Sequence, residues 1–140
     1  MKVLLSYDGS DCSDRAAKFV TTTLRKQLSS LKLDVIYIDT PMPDRAAATL
    51  GEETVARLRR ENADFVLKGL RARLKRAALP FTEVVATGPV AKKIGEHAEK
   101  GGYDLVVMGS HGRSAAGNLF LGSVATRVLA ECKIPVLIVR

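Results

Sequence analysis

Three glycines and a serine near the C-terminus are the residues of this sequence best suited to bind a ligand. They are Gly109, Gly112, Gly122 and Ser123. Because glycine has no Cβ, a loop built from it can approach a ligand closely and turn its amide groups toward it. Amides at the start of a helix lack intrahelical partners and carry partial positive charge. This combination predicts a site for a phosphate group.

The segments on either side of this loop have the character that such a site needs. Residues 105–108 form an apolar run short enough for a buried strand. From Leu121 onward, apolar residues recur at helical spacing. No lysine follows Gly122, so this is not a Walker loop, and the spacing differs from the G-x-G-x-x-G dinucleotide pattern. The alternative interpretation is a glycine linker that holds no ligand.

The whole chain alternates between strand and helix patterns, which indicates how the loop is positioned. Strands are predicted at residues 2–7, 34–38, 81–86, 105–108 and 136–139, and a helix between each successive pair. Residues 41–51 are predicted as a loop, and Pro80 is expected to end the long second helix. The fold class expected is α/β, with an open parallel five-stranded sheet in the order 3-2-1-4-5 and helices on both faces. Asp8 and Gly109 then end neighbouring strands and border one crevice.

The spacing of the loop glycines matches a known pattern, G-x2-G-x9-G-[ST]. With its flanking segments VMGSHGR and LGSVA, it closely resembles the ATP-binding signature of the universal stress protein family. The opening KVLLSYDGS, the strand VIYID and the closing IPVLIV look like landmarks of the same family. The resemblance implies one domain over residues 1–140, with a Rossmann-like fold of the adenine nucleotide alpha hydrolase type. It also implies ATP binding, which accompanies a complete motif in that family.

The resemblance assigns the nucleoside half of the site to four residues. Asp8 is expected to accept hydrogen bonds from the ribose hydroxyls. The alternative role for Asp8 is to stabilise the amides that start the first helix. Ile38 is expected to form an apolar wall for the adenine, and backbone groups near Ser6 and Met108 to complete the pocket.

The phosphate half of the site is assigned to the glycine loop and the helix after it. Backbone N–H groups and the serine hydroxyl are expected to bind phosphate at Gly109, Gly112, Gly122, Ser123 and Val124. Arg113 is expected to meet the terminal phosphate, with exposure to water as the alternative. Magnesium or manganese would be held mainly by the phosphates, because the sequence has no acidic cluster for a metal. No catalytic residue is predicted, since no carboxylate lies near His111 in sequence to orient it.

The net charge of +7 raises the possibility of nucleic-acid binding. Residues 52–79 carry eight basic residues against four acidic ones. We favour a solvated helix face, because base stacking needs aromatic residues interleaved with the charges, and this helix lacks such a series.

Location and assembly follow from simpler features. Two cysteines far apart predict neither a disulfide framework nor a zinc site and favour the cytoplasm. The opening MKVLL reaches Asp8 too soon for a signal-peptide core, and no apolar run has membrane-spanning length. The last strand, residues 136–139, is apolar and lies at a sheet edge in the predicted order, so we expect a homodimer through it.

These features lead to one main functional hypothesis and three alternatives. The main hypothesis is an ATP-binding regulatory homodimer of the stress response, with slow ATP hydrolysis at most. The alternatives are an adenine-nucleotide enzyme such as a nucleotidyl transferase, a phospho-receiver domain and a nucleic-acid binder. An adenine-nucleotide enzyme would need a His-x-x-His pair or an early Ser-Gly-Gly loop, and this sequence has neither. A phospho-receiver domain would need an aspartate after the third strand, where residues 87–89 read Thr-Gly-Pro.

Overall fold

Five parallel strands form the centre of the molecule. The computed structural model describes residues 1–113 and 121–140. The strands are β1 (Lys2–Ser6), β2 (Lys32–Asp39), β3 (Phe81–Thr87), β4 (Leu105–Gly109) and β5 (Val136–Val139). They pair in the order β3-β2-β1-β4-β5, and every pairing is parallel. The predicted fold class is therefore confirmed.

The helices connect the strands and cover both faces of the sheet. They are α1 (Asp11–Phe19), α2 (Arg25–Gln27), α3 (Asp44–Leu50), α4 (Glu52–Arg76), α5 (Val90–Lys100) and α6 (Ser123–Glu131). A π-helical turn, Val20–Leu24, joins α1 to α2. At the start of α1, the side chain of Ser10 accepts a hydrogen bond from the Ser13 N–H, so this helix is capped.

Two predictions about the β2–β3 connection are wrong. Residues 44–50 form α3 and not a loop, because Pro43 stands just before the helix, where a missing N–H does no harm. Helix α4 ends at Arg76, four residues before Pro80. It ends there because Ala78 adopts a left-handed φ of 47° and the Leu79 N–H donates to the Leu74 carbonyl at 3.1 Å.

A separate apolar core lies on each face of the sheet. One core joins the strands to α1 and α4 through the buried side chains Ala16, Ala17, Leu67, Leu70 and Leu74. The other joins them to α5 and α6 through Ile94, Ala98, Ala125 and Val128. The carboxyl edge of the sheet therefore lies between two helical layers, and this is the edge that the predicted site occupies.

Within residues 1–113 and 121–140, no helix is both long enough and apolar enough to cross a bilayer.

Candidate functional site

A cavity of about 430 Å³ opens at the carboxyl ends of β1, β2 and β4. It forms there because β1 pairs with β2 on one side and with β4 on the other, so the segments after β1 and β4 leave toward opposite faces. All ten residues predicted for the site line it: Ser6, Asp8, Ile38, Met108, Gly109, Gly112, Arg113, Gly122, Ser123 and Val124. The fold thus brings the first-strand aspartate and the glycine loop to one place.

Seven further residues line the cavity and were missed. They are Tyr7, Ser13, Thr40, Val90, Ser110, His111 and Ala125. A signal for some of them was present, since Thr40 and Ser110 each follow directly after a strand and Val90 begins α5. Because residues at the carboxyl ends of parallel strands share one edge of the sheet, the residues that follow each strand are expected near the site even outside the motif.

One side of the cavity is apolar. Ile38 and Met108 lie at the ends of β2 and β4 and are almost fully buried, and Val90 is half-buried beside them. These side chains belong to the core beneath α5 and α6, so their positions are held by packing. The surface they offer suits a flat apolar group.

Asp8 is held in place by its neighbours. Its Oδ1 accepts hydrogen bonds from the Ser10 N–H at 3.0 Å and from the Ser10 hydroxyl at 2.6 Å. Gly9, with a φ of 79°, makes the turn that allows both. A Cβ at Gly112 would lie 2.9 Å from the other oxygen, Oδ2, so the glycine loop runs close above the carboxylate. Because Ser10 caps α1, the alternative role of Asp8 in supporting this helix start is also present.

The N-terminus of α6 supplies backbone donors to the cavity. The first intrahelical bond runs from the Thr126 N–H to the Gly122 carbonyl at 2.9 Å, so the N–H groups of residues 123–125 precede the bonded part of the helix. Gly122 occupies the capping position and has no side chain to bond them. This end of α6 therefore differs from the start of α1, which Ser10 caps.

Two glycines of the predicted site also have structural roles. The Gly122 N–H donates to the Ser110 carbonyl at 2.8 Å, so this amide already has a backbone partner, and the phosphate contact expected of it stays a prediction. A Cβ at Gly109 would lie 2.6 Å from the carbonyl carbon of Cys12, so the absence of a side chain there lets α1 pack against β4. The N–H groups of Ser123 and Val124, which are also predicted to bind phosphate, lie at the start of α6.

Arg113 lies at the rim of the cavity, where its guanidinium neighbours the Tyr37 hydroxyl. That hydroxyl donates to Asp39 Oδ1 at 3.1 Å. Burial and the nearby Asp39 raise the pKa of Tyr37, and the charge of Arg113 opposes this shift. Arg113 thus provides positive charge at the cavity mouth and is not directed only into water.

The ionisable groups near the loop do not form a recognisable metal site. His111 Nδ1 lies 3.0 Å from the Ser110 hydroxyl, and Cys12 Sγ accepts a hydrogen bond from Arg15 at 2.9 Å. In the parts of the chain that the structure describes, no three His, Cys, Asp or Glu side chains are grouped to hold a metal ion.

Comparisons with known proteins agree on one family. The model of the universal stress protein family matches residues 1–140. A universal stress protein of Thermus aquaticus, encoded in the QAH/OAS sulfhydrylase 3' region, is 37% identical over 141 residues, which cover 99% of this chain and 97% of the relative. The solved structure of MJ0577 from Methanocaldococcus jannaschii superposes with a TM-score of 0.82 at 24% identity, covering 99% and 94% of the two chains. A universal stress protein in complex with cAMP superposes with a TM-score of 0.70 at 25% identity, covering 100% and 97%.

Proposed function

This chain belongs to the universal stress protein family, and from that premise we propose that it binds ATP in the cavity at the carboxyl edge of its sheet. Ile38, Met108 and Val90 contact the adenine, and Asp8 Oδ2 accepts from the ribose hydroxyls. The N–H groups of residues 123–125 and the Ser123 hydroxyl bind the phosphates. Arg113 neutralises part of their charge at the mouth.

The observation that carries this proposal is the convergence of three different surfaces on one cavity. An apolar wall, a fixed carboxylate and a helix start without a side-chain cap all face it. A nucleotide needs these three chemistries in this order, for its base, sugar and phosphates. The volume of about 430 Å³ lies in the range of small-molecule sites. The cAMP complex of the relative described above supports an adenine nucleotide as the ligand class.

Magnesium or manganese is proposed to enter with the nucleotide, coordinated mainly by phosphate oxygens and water. The described residues offer no acidic group of three to bind the metal beforehand. The metal would lower the charge of the phosphates, while the chain itself orients them through α6.

We propose a regulatory role in the stress response and at most slow ATP hydrolysis. The imidazole of His111 meets a serine hydroxyl, and that pairing does not make it a general base for water. We further propose that residues 1–140 act as one domain, in the cytoplasm, as a homodimer through β5. We do not propose nucleic-acid binding by α4, because no series of aromatic residues accompanies its charges, and Arg71 and Arg57 are already in ion pairs within the chain.

The test is calorimetric titration with ATP, with and without magnesium, on wild type and three variants. Asp8→Asn should weaken binding about tenfold or more, because it removes a charged acceptor from the ribose. Gly122→Val should also weaken binding, because a Cβ there would lie 3.1 Å from the Ser110 carbonyl and displace the loop. Asp11→Asn is the matched control, since it removes the same charge from an exposed position outside the cavity.

Equal affinity in all four proteins would refute the site. Parallel titrations with ADP, AMP and cAMP identify the preferred nucleotide. If Asp8→Asn and Asp11→Asn weaken ATP binding equally, the effect is one of net charge and the ribose contact is wrong.

A further inference from the structure

The outer face of α4 carries an exposed aromatic residue. The inner face packs on the sheet through the buried side chains Ala63, Leu67, Leu70 and Leu74. Phe65 lies on the opposite side of the helix and is 83% exposed. One turn later stands Gly69, and apart from its chain neighbours and the nearby backbone of its own helix, no atom lies within 4 Å of the position that its Cβ would occupy. Ala72 continues the same face and is exposed.

Nothing within the described chain accounts for Phe65 or Gly69. An exposed phenylalanine removes no apolar surface from water. A glycine inside a helix lowers its stability relative to alanine, and this one neither has a positive φ nor lies against a neighbouring element. Residues four apart lie side by side on a helix, so the two unexplained residues form a single surface with a projection and a flat area.

We propose that this surface, formed by Glu61, Phe65, Gly69, Ala72 and Arg76 and called here the outer α4 face, is a two-fold contact with a second copy of the chain. The two α4 helices cross antiparallel with Gly69 near the crossing point. A two-fold contact requires one surface to be complementary to itself, and this surface holds both the projecting ring and the small residues that can receive it.

One register satisfies the shapes and places opposite charges at both ends of the face. When Phe65 is placed opposite the partner's Ala72, the same antiparallel alignment places Glu61 opposite the partner's Arg76. The symmetry repeats both contacts. A parallel alignment would instead place each of these residues opposite its own copy and bring like charges together. Opposite charges facing each other thus favour the antiparallel arrangement.

The charges that make these contacts are accessible. Glu61 holds an ion pair at 3.0 Å with Arg57 of its own helix and is still 58% exposed. Arg76 is exposed at the last position of α4. The outer α4 face is distinct from the nucleotide cavity and from β5, so the proposal does not rest on either.

The first experiment is sedimentation equilibrium of the full chain over a range of protein concentrations. Phe65→Asp should raise the dissociation constant of this contact about tenfold or more and so lower the average mass at intermediate concentration. Leu50→Asp is the matched control, since Leu50 is also exposed, at 43%, but lies on α3 outside the face. Circular dichroism melts should show that both variants stay folded, and ATP titration should be the same for both.

The second experiment tests the register. Glu61→Arg and Arg76→Glu should each weaken association, and the double variant should restore it to within about threefold of wild type. Equal masses for wild type and Phe65→Asp at every concentration would overturn the contact. Failure of the double variant to restore association would overturn the antiparallel register and the proposal with it.

Discussion

The hydroxyl of each of the three tyrosines donates a hydrogen bond to a carboxylate. Tyr7 bonds Asp14 at 2.7 Å, Tyr37 bonds Asp39 at 3.1 Å and Tyr103 bonds Asp34 at 2.5 Å. Burial is the largest cause that raises the pKa of each phenol, and the neighbouring carboxylate adds to it. The folded protein therefore binds the phenolic proton more tightly than the unfolded chain does.

This proton binding predicts a loss of stability in alkali. The unfolded tyrosines ionise near pH 10, whereas the folded ones keep their protons to higher pH. Their contribution is fully present below about pH 10 and is lost as pH rises through the folded pKa values. Urea unfolding at several pH values between 8 and 11 should show this fall.

A variant separates this effect from the titration of lysines. Tyr7→Phe should be less stable than wild type near pH 8, because the bond to Asp14 is lost, and the difference should shrink as pH rises above 10. A constant difference between the two proteins across the range would contradict this account.

Asp8 is the residue for which sequence reasoning was most useful. The resemblance to the family assigned it to the site, and its place just after β1 follows from alternation of strand and helix. Its fixed orientation was not predictable, because it depends on the hydroxyl of Ser10 and on the approach of Gly112 from the far part of the chain.

At the scale of elements, helix boundaries were predicted less well than helices. Helix α4 was expected from its apolar periodicity, yet its end depends on Ala78 entering a left-handed conformation without a glycine. Helix α3 was missed because two prolines nearby suggested a loop, although the second one suits a helix start.

Replacing either of two glycines by alanine should change the free energy of unfolding, but in opposite directions. Gly109→Ala should lower the free energy of unfolding by about 1–3 kcal/mol, because the new Cβ would lie 2.6 Å from the backbone of α1. Gly69→Ala should raise it by about 1 kcal/mol, because the position is an open helix interior where alanine is preferred.

Chemical denaturation at low protein concentration, where self-association contributes little, measures both changes. The identical substitution makes each protein the control for the other. A stable Gly109→Ala variant would show that α1 and β4 tolerate separation, and would contradict the packing role assigned to Gly109.

At the scale of the whole molecule, the sheet has two edges with different exposure. β5 is half-buried along its whole length, with Leu137 and Val139 against one core and Val136 and Ile138 against the other. β3 forms the other edge and exposes Val85. Both edges have unpaired backbone groups, and apolar β5 is the one we expect to pair with a second copy.

A charge on β5 should therefore lower the assembly mass. Ile138→Glu is expected to weaken the β5 contact by about tenfold or more in sedimentation experiments, because a carboxylate would be buried there without a partner. Val85→Glu places the same side chain on the opposite edge and should leave the mass unchanged.

The two proposed contacts can be separated in one further protein. The double variant Phe65→Asp, Ile138→Glu should be a monomer, since it removes the outer α4 face and the β5 edge together. Equal loss of mass for Ile138→Glu and Val85→Glu would mean that β5 is not the pairing edge. Retention of the far-ultraviolet circular dichroism spectrum is the control for folding.

The sequence by itself determined the alternation of strands and helices and the topology of the sheet, which follow from local periodicity, from glycine and proline positions and from the rule that parallel strands end at one edge. The set of ten residues around the cavity came from the resemblance of its motifs to the universal stress protein family. Only the tertiary structure decided that Ser110 takes the Gly122 amide and that α1 requires the bare backbone of Gly109. Each of these depends on which atoms meet across distant segments, and no local pattern in the chain encodes such a meeting.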